Sequence, residues 1–147
     1  MAAEPERYVL DSFALLVYLQ GEAGMERVKE VLHSAERGGT QVYLSWINLG
    51  EVMYITERER GVWKARETLA RVQALPIQML DASSHAVLSA AHIKANHRLA
   101  YAGAFAVAAA LETKAVVLTG DAEFRQVEGM VQVEWLGGEH GREENTT

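Results

Sequence analysis

The chain has 147 residues, 14 Lys and Arg against 20 Asp and Glu, and a formal net charge of −6. That length gives one domain able to bury a sizeable core, and an apolar fraction of 49% argues against a disordered chain. The acidic balance disfavours a protein that coats nucleic acid through many phosphate contacts, but not an enzyme that reaches it through a local basic rim. No cysteine occurs, so disulfides and thiolate metal sites are excluded and any metal must be held by oxygen or imidazole. No apolar run approaches the roughly 20 residues that cross a bilayer. The opening Met-Ala-Ala-Glu-Pro-Glu-Arg lacks the build of a secretion signal, so a cytoplasmic protein with no membrane contact is expected.

In chain order, Tyr8-Val9-Leu10 reads as a strand ending at Asp11, with Asp11 or Ser12 capping a helix that Gly21 stops. Met25, Val28, Val31 and Leu32 recur at helical spacing, and Gly38-Gly39 closes that segment. Residues 41–45 read as a second strand. Trp46 to Arg60 reads as a helix stopped by Gly61, and Val62 to Ala74 as the next, closed by Pro76. A third strand, 77–80, leads to a helix capped by Asp81 or Ser83 and running to about His97. The Ala-rich run from Tyr101 to Leu111 predicts another helix. After the polar turn Glu112-Thr113-Lys114 comes a strand over 115–118, and a last strand is predicted near 131–135. Short apolar strands alternating with helices imply an α/β fold: three α/β/α layers around a mostly parallel central sheet. The domain is read as residues 1–136, followed by a flexible tail over 137–147 rich in Gly, Glu, Asn and Thr.

Ligands of such sheets gather beyond the carboxyl ends of the strands, where strand order reverses. Asp11 and Asp121 both fall at predicted carboxyl ends, and the small residues beside Asp121 leave room for a close approach. Each is equally well a helix or turn cap. Glu51 has Ile47, Asn48, Tyr54 and Ile55 as its helical neighbours, so it lies on a largely apolar stripe. A charge there is costly unless it is paired or binds a cation. The plain alternative is a half-exposed residue at the edge of the stripe, and Asn48 one turn earlier is placed to orient it. Oxygen-only ligands suit Mg²⁺ or Mn²⁺, which activate a water and steady a leaving oxygen in phosphodiester hydrolysis. Ser12 and Thr119 stand beside the acids as supporting hydroxyls, or simply as turn and cap residues.

The motifs in order resemble those of PIN-domain proteins of the VapC type, the ribonuclease toxins of toxin–antitoxin pairs. The resemblance rests on Val9-Leu10-Asp11-Ser12, on Ser45 through Asn48-Leu49-Gly50-Glu51-Val52, on Leu99 to Ala106, and on Val117 to Phe124. It covers Tyr8 to about Trp135. It implies a metal-dependent endoribonuclease that uses Mg²⁺ or Mn²⁺, with Asp11, Glu51 and Asp121 as catalytic, metal-binding carboxylates. It also implies an RNA substrate, a cognate antitoxin and a homodimer. The family normally carries an aspartate where this chain has Gly103. Helix propensity supplies no reason for glycine there. The expectation is therefore a weakened nuclease, or else a non-catalytic PIN module that holds an antitoxin or RNA. Glu112 and Glu123 are the neighbouring acids able to substitute, with Glu112 far along its helix. A structure-specific DNA nuclease is a third option.

Other residues carry less. His33, His85, His92, His97 and His140 show no metal-binding spacing. Arg58, Arg60, Lys64, Arg66 and Arg71, with Lys94, His97 and Arg98, form either a track for an RNA backbone or a solvated face. Leu15, Leu16, Tyr18, Leu19, Tyr54 and Trp63 are candidates for a partner's groove under the same resemblance, with core packing an equal explanation.

Overall fold

The computed structural model describes residues 4–137. Its strands are β1 (Glu6–Leu10), β2 (Thr40–Ser45), β3 (Gln78–Leu80), β4 (Val116–Thr119) and β5 (Val133–Trp135). Its helices are α1 (Ser12–Gln20), α2 (Met25–Glu36), α3 (Trp46–Arg60), α4 (Val62–Gln73), α5 (Ser84–Asn96) and α6 (Tyr101–Thr113). A short 3-10 turn spans Ala122–Val127. The tail expected over 137–147 lies outside the described residues except for Gly137.

Local chemistry sets most of these boundaries. Asp11, Ser45 and Ser83 cap α1, α3 and α5 by accepting backbone N–H groups of their first turns. Gly21 ends α1 in the left-handed conformation, at φ 67°. At the end of α6 that role falls to Lys114, the only non-glycine residue with positive φ among those described. The strand before the second acid is Val116–Thr119, one residue later than the sequence pattern suggests. The predicted turn after it is a 3-10 turn capped by Asp121.

The sheet order is β3-β2-β1-β4-β5 and every pairing is parallel. The chain moves outward from β1 through β2 to β3, then returns to start again at β4 on the other side of β1. Strand order therefore reverses between β1 and β4, where ligands collect in folds of this kind.

The period of two along each strand divides the core into two layers. Tyr8, Leu10, Val42, Leu44 and Leu118 pack against helices α1 to α4. Val9, Tyr43 and Val117 face the alanines of α6, together with Ala90, Ile93, Phe105 and Phe124. The Ala-rich composition of α6 thus has a packing reason, since small side chains let this helix lie close on the sheet. Arg27 of α2 reaches Glu134 of β5 at 2.6 and 3.1 Å and the Tyr8 hydroxyl at 3.1 Å, tying α2 to the sheet.

Leu118 is fully buried in the strand that presents the second acid. Leu118→Ala is expected to cost about 2–5 kcal/mol through lost burial and a residual cavity, read from the midpoint of denaturant unfolding. A cost under about 1 kcal/mol would mean that the site end of β4 is loosely packed.

Candidate active site

Sheet register brings the first pair of polar groups together. Leu10 of β1 pairs with Leu118 of β4, so the next residues in each strand, Asp11 and Thr119, lie side by side. The Thr119 hydroxyl donates to Asp11 Oδ2 at 2.5 Å and accepts the Asp121 N–H at 3.0 Å. Asp11 Oδ1 accepts the Ala14 N–H at 2.8 Å, and Asp121 Oδ1 accepts the Glu123 N–H at 3.0 Å. Both acids are therefore caps as well as carboxylates of one cluster, and Thr119, fully buried, is the link between them.

Glu51 takes the plainer of the two places the sequence allows, at the edge of the apolar stripe. The buried line of α3 is Asn48, Leu49, Val52 and Thr56, and Glu51 lies one step round from it, half-buried. Its carboxylate is contacted at 3.5 Å by the Tyr54 hydroxyl. Asn48 does not orient it. The Asn48 amide donates instead to Ser12 Oγ at 3.1 Å and to the Ala102 carbonyl at 3.0 Å, pinning the starts of α1 and α6 to α3. Ser12 in turn donates to the Asn48 carbonyl at 3.3 Å, so its hydroxyl serves Asn48 rather than a carboxylate. Asn48 Oδ1 is buried and has no partner among the described residues.

The two glycines of the site have packing reasons that sequence patterns do not reveal. A Cβ at Gly103 would lie 3.0 Å from Leu99 Cδ1 and 3.2 Å from Leu99 Cγ, with Phe124 Cζ at 3.6 Å. A side chain at 103 would therefore press on the end of the buried Leu99 side chain, which would have to give by a few tenths of an ångström. At Gly120 a Cβ would meet the Phe13 ring at 2.3 Å. The group approaching the backbone beside Asp121 is thus the ring of Phe13. Glu123, raised from sequence as a substitute acid, reaches the start of α6, where its Oε1 accepts the Ala100 N–H at 2.8 Å. Glu112 sits at the far end of that helix.

Electrostatics mark Asp11 and Asp121 as the stressed pair. Burial pushes the Asp11 carboxyl up to about 7, opposed by its hydrogen bonds from Thr119 and Ala14 and assisted by the charge of Asp121. Asp121 is also raised, first by burial, then by the charges of Glu123 and Glu51, while the Glu123 N–H bond opposes the rise. These are hard oxygen donors, and neighbouring carboxylates that resist ionising are what a divalent cation relieves. The donors thus fit Mg²⁺ or Mn²⁺ in kind. Among the described residues, however, no group of three or more His, Asp or Glu side chains stands close enough to hold an ion.

The basic residues are partly engaged elsewhere. Arg58 lies over the Tyr54 ring, Arg66 over Trp63 and Arg71 over Tyr18, at 5.0 to 5.4 Å. Lys64 pairs with Glu67, and Lys94 donates to the Leu99 carbonyl. Of the candidate partner residues, Leu15 is core, Leu16, Tyr18 and Leu19 are partly buried against it, and Tyr54 and Trp63 are exposed. Among the described residues no helix is long and apolar enough to cross a membrane.

A five-stranded parallel sheet reversing between β1 and β4, with acids at both strand ends, defines a PIN-like three-layer domain. The family model for the PIN domain matches residues 8–130, and the chain belongs to that family. Its structural neighbours are VapBC and VapC toxin–antitoxin proteins. VapBC2 from Rickettsia felis, bound to a DNA fragment from its promoter, aligns with TM-score 0.68 and 13% identity over 87% of this chain and 97% of that one. VapC20 from Mycobacterium tuberculosis, a sarcin–ricin loop cleaving toxin, gives 0.67 and 17% over 86% and 98%. FitAcB from Neisseria gonorrhoeae gives 0.64 and 22% over 86% and 95%. No curated protein sequence matches the chain.

Because Asp11 holds its proton more tightly when folded than when unfolded, the metal-free protein should lose stability as pH rises from about 4 to about 7, and lose no more above that. Asp11→Asn keeps the cap and should remove this slope. In chelator at pH 8 it should unfold later than the parent by on the order of 1–3 kcal/mol. Equal stability of the two proteins across that range would show that burial does not strain the carboxylate.

Proposed function

We propose that the chain is a Mg²⁺- or Mn²⁺-dependent endoribonuclease of the toxin kind, weakened because Gly103 stands where a third acid is expected. The observation that carries this reading is the pairing of buried Asp11 with half-buried Asp121, joined through Thr119 at the reversal point of a PIN sheet. Asp11 and Asp121 would hold the cation, with Glu51 contributing from α3 across the cluster. A bound ion would supply activation of a water and neutralisation of charge at the scissile phosphate. The protein's own part is to fix the two carboxylates from rigid strand ends, with Thr119 holding Asp11 in place and Asn48 fixing the helix starts around them. Dipoles at those helix N-termini favour the carboxylates and, equally, a substrate phosphate.

RNA as substrate is supported by the fold and by the cleaving activity ascribed to the VapC20 neighbour. A cognate antitoxin as partner is supported by the neighbours that are toxin–antitoxin complexes. The exposed aromatics Trp46, Tyr54 and Trp63 offer surface for that partner or for a second copy in a homodimer.

The alternative is a PIN module that binds an antitoxin or RNA without cutting. It is favoured by one observation, the tight 3.0 Å contact that a Cβ at 103 would make with Leu99 Cδ1.

The test is Mn²⁺-dependent cleavage of a mixed RNA pool. The chain with Gly103 is expected to cleave weakly, and Gly103→Asp to cleave about 10–100-fold faster, the scale on which outer groups tune metal sites. Asp11→Asn added to Gly103→Asp should abolish cleavage. Cleavage by the parent as fast as by Gly103→Asp would remove the attenuation, and no cleavage by any folded version would favour the binding module.

A further inference from the structure

Two buried threonines line the cleft between α1, α3 and α4, and only one of them is satisfied. Thr56 is 7% exposed, and its hydroxyl donates to the Val52 carbonyl at 2.7 Å, the usual bond of a helical threonine. Thr68 is also 7% exposed, yet its hydroxyl has no hydrogen-bond partner among the described residues, and its oxygen is not sealed from the cleft. A hydroxyl drawn away from water without a partner is costly. Leu16 and Leu19 of α1 supply an apolar wall, and Arg60, Lys64 and Arg71 stand around the opening against one acid, Glu67. Glu67 pairs with Lys64 at 3.2 Å, but both side chains are exposed, so the pair binds neither charge firmly. Arg71 gives one N–H to the Leu19 carbonyl at 3.3 Å and keeps its others. Arg60 is exposed and makes no ion pair with any described residue. The cleft is therefore positive on a chain whose net charge is −6.

A solvated basic face accounts for the cations but not for the open hydroxyl beneath them. We propose that this cleft docks a carboxylate side chain carried by a segment of a partner protein. The carboxylate accepts the Thr68 hydroxyl and the N–H groups of the three cations, and an apolar side chain of the same segment lies on Leu16 and Leu19. Size favours a carboxylate over a phosphate. The enclosed space is about 30 Å³, room for two water-sized groups at roughly 10–15 Å³ each, which two carboxylate oxygens fill and four phosphate oxygens overfill. Position disfavours the RNA backbone, since Arg60 ends the helix in which Asn48 stands beside the acids, a rise of about 18 Å away at about 1.5 Å per residue. The inference rests on the reading above only in needing a protein partner, and adds the chemistry of the segment that the partner presents. It does not depend on cleavage or on a metal.

The probes are acetyl-Leu-Glu-Leu-amide, the same peptide with Gln for Glu, and a short oligouridylate, each titrated into the full chain and followed by backbone amide NMR shifts. The Glu peptide should move the amides of Leu19, Lys64 and Thr68, and the Gln peptide should bind about tenfold more weakly. Thr68→Val should weaken the Glu peptide about fivefold, and Arg60→Gln should weaken it without affecting the Gln peptide. The free Thr68→Val protein should melt no earlier than the parent, because its hydroxyl has no partner to lose. Earlier melting would reveal an internal bond to that hydroxyl and overturn the proposal. Equal binding of the two peptides would overturn the carboxylate and leave only an apolar partner groove. No shift at these amides with either peptide at millimolar concentration would remove the cleft as a docking site, and the partner reading would then fall back on the exposed aromatics. Displacement of the Glu peptide by oligouridylate would make the cleft a nucleic-acid phosphate site, which also overturns the proposal. Thr68→Val should leave RNA cleavage unchanged, so the docking site and the nuclease reading stand or fall separately.

Discussion

The hydroxyl of Thr119 donates to one buried carboxylate and receives the backbone N–H of the residue that bears the other. That geometry requires β1 and β4 to be neighbours, parallel and in register at Leu10 and Leu118. It also requires both faces of the sheet to be covered, since otherwise Asp11 would meet water and the hydroxyl would have no special claim on it. The cost of the arrangement is visible in the two acids, whose proton affinities are raised chiefly by burial. A fold that only needed helix caps would gain as much from serine or asparagine at these positions. A carboxylate pair whose proton affinities are raised, at a strand-order reversal, is instead the mark of a candidate functional site.

Around this pair the helix starts act as a frame. Asn48 ties α3 to α1 and α6 with two hydrogen bonds from one buried amide. An amide donating at the crossing of three helices sets their spacing in a way that apolar contacts cannot, because each bond has a length and a direction. The corner at the start of α6 is the weak side of the frame for chemistry. A Cβ at 103 would press on Leu99 and touch Phe124, and the glycine there leaves the corner without a charge of its own.

Much of this was legible in the order of residues. Alternation of short β-branched runs with helical periods gave the layers, and glycine, serine and aspartate at the expected boundaries gave caps and stops. These signals are local, and local backbone chemistry determines them. The Ala-rich helix was also visible, though its purpose, close packing on Val9, Tyr43 and Val117, is a property of the assembled layer. Asp11 and Asp121 could be picked out as strand-end acids from sequence because strand ends are set by nearby residues.

The tertiary structure alone decided which polar groups meet. Asn48 serves Ser12 and Ala102 rather than Glu51, because the buried line of α3 runs through 48, 49, 52 and 56 and leaves 51 at its edge. Helical spacing fixes which residues share a face, but only the docking of the helix fixes which face is inside. Gly120 is opposed by Phe13 and Gly103 by Leu99, contacts that depend on side chains crossing from other turns of the fold. Glu123 reaches Ala100 across 23 positions of chain. The sequence by itself determined the elements and the residues able to do chemistry, since these follow from short-range propensity. Their meeting at one corner depended on strand order and register, which long-range packing sets.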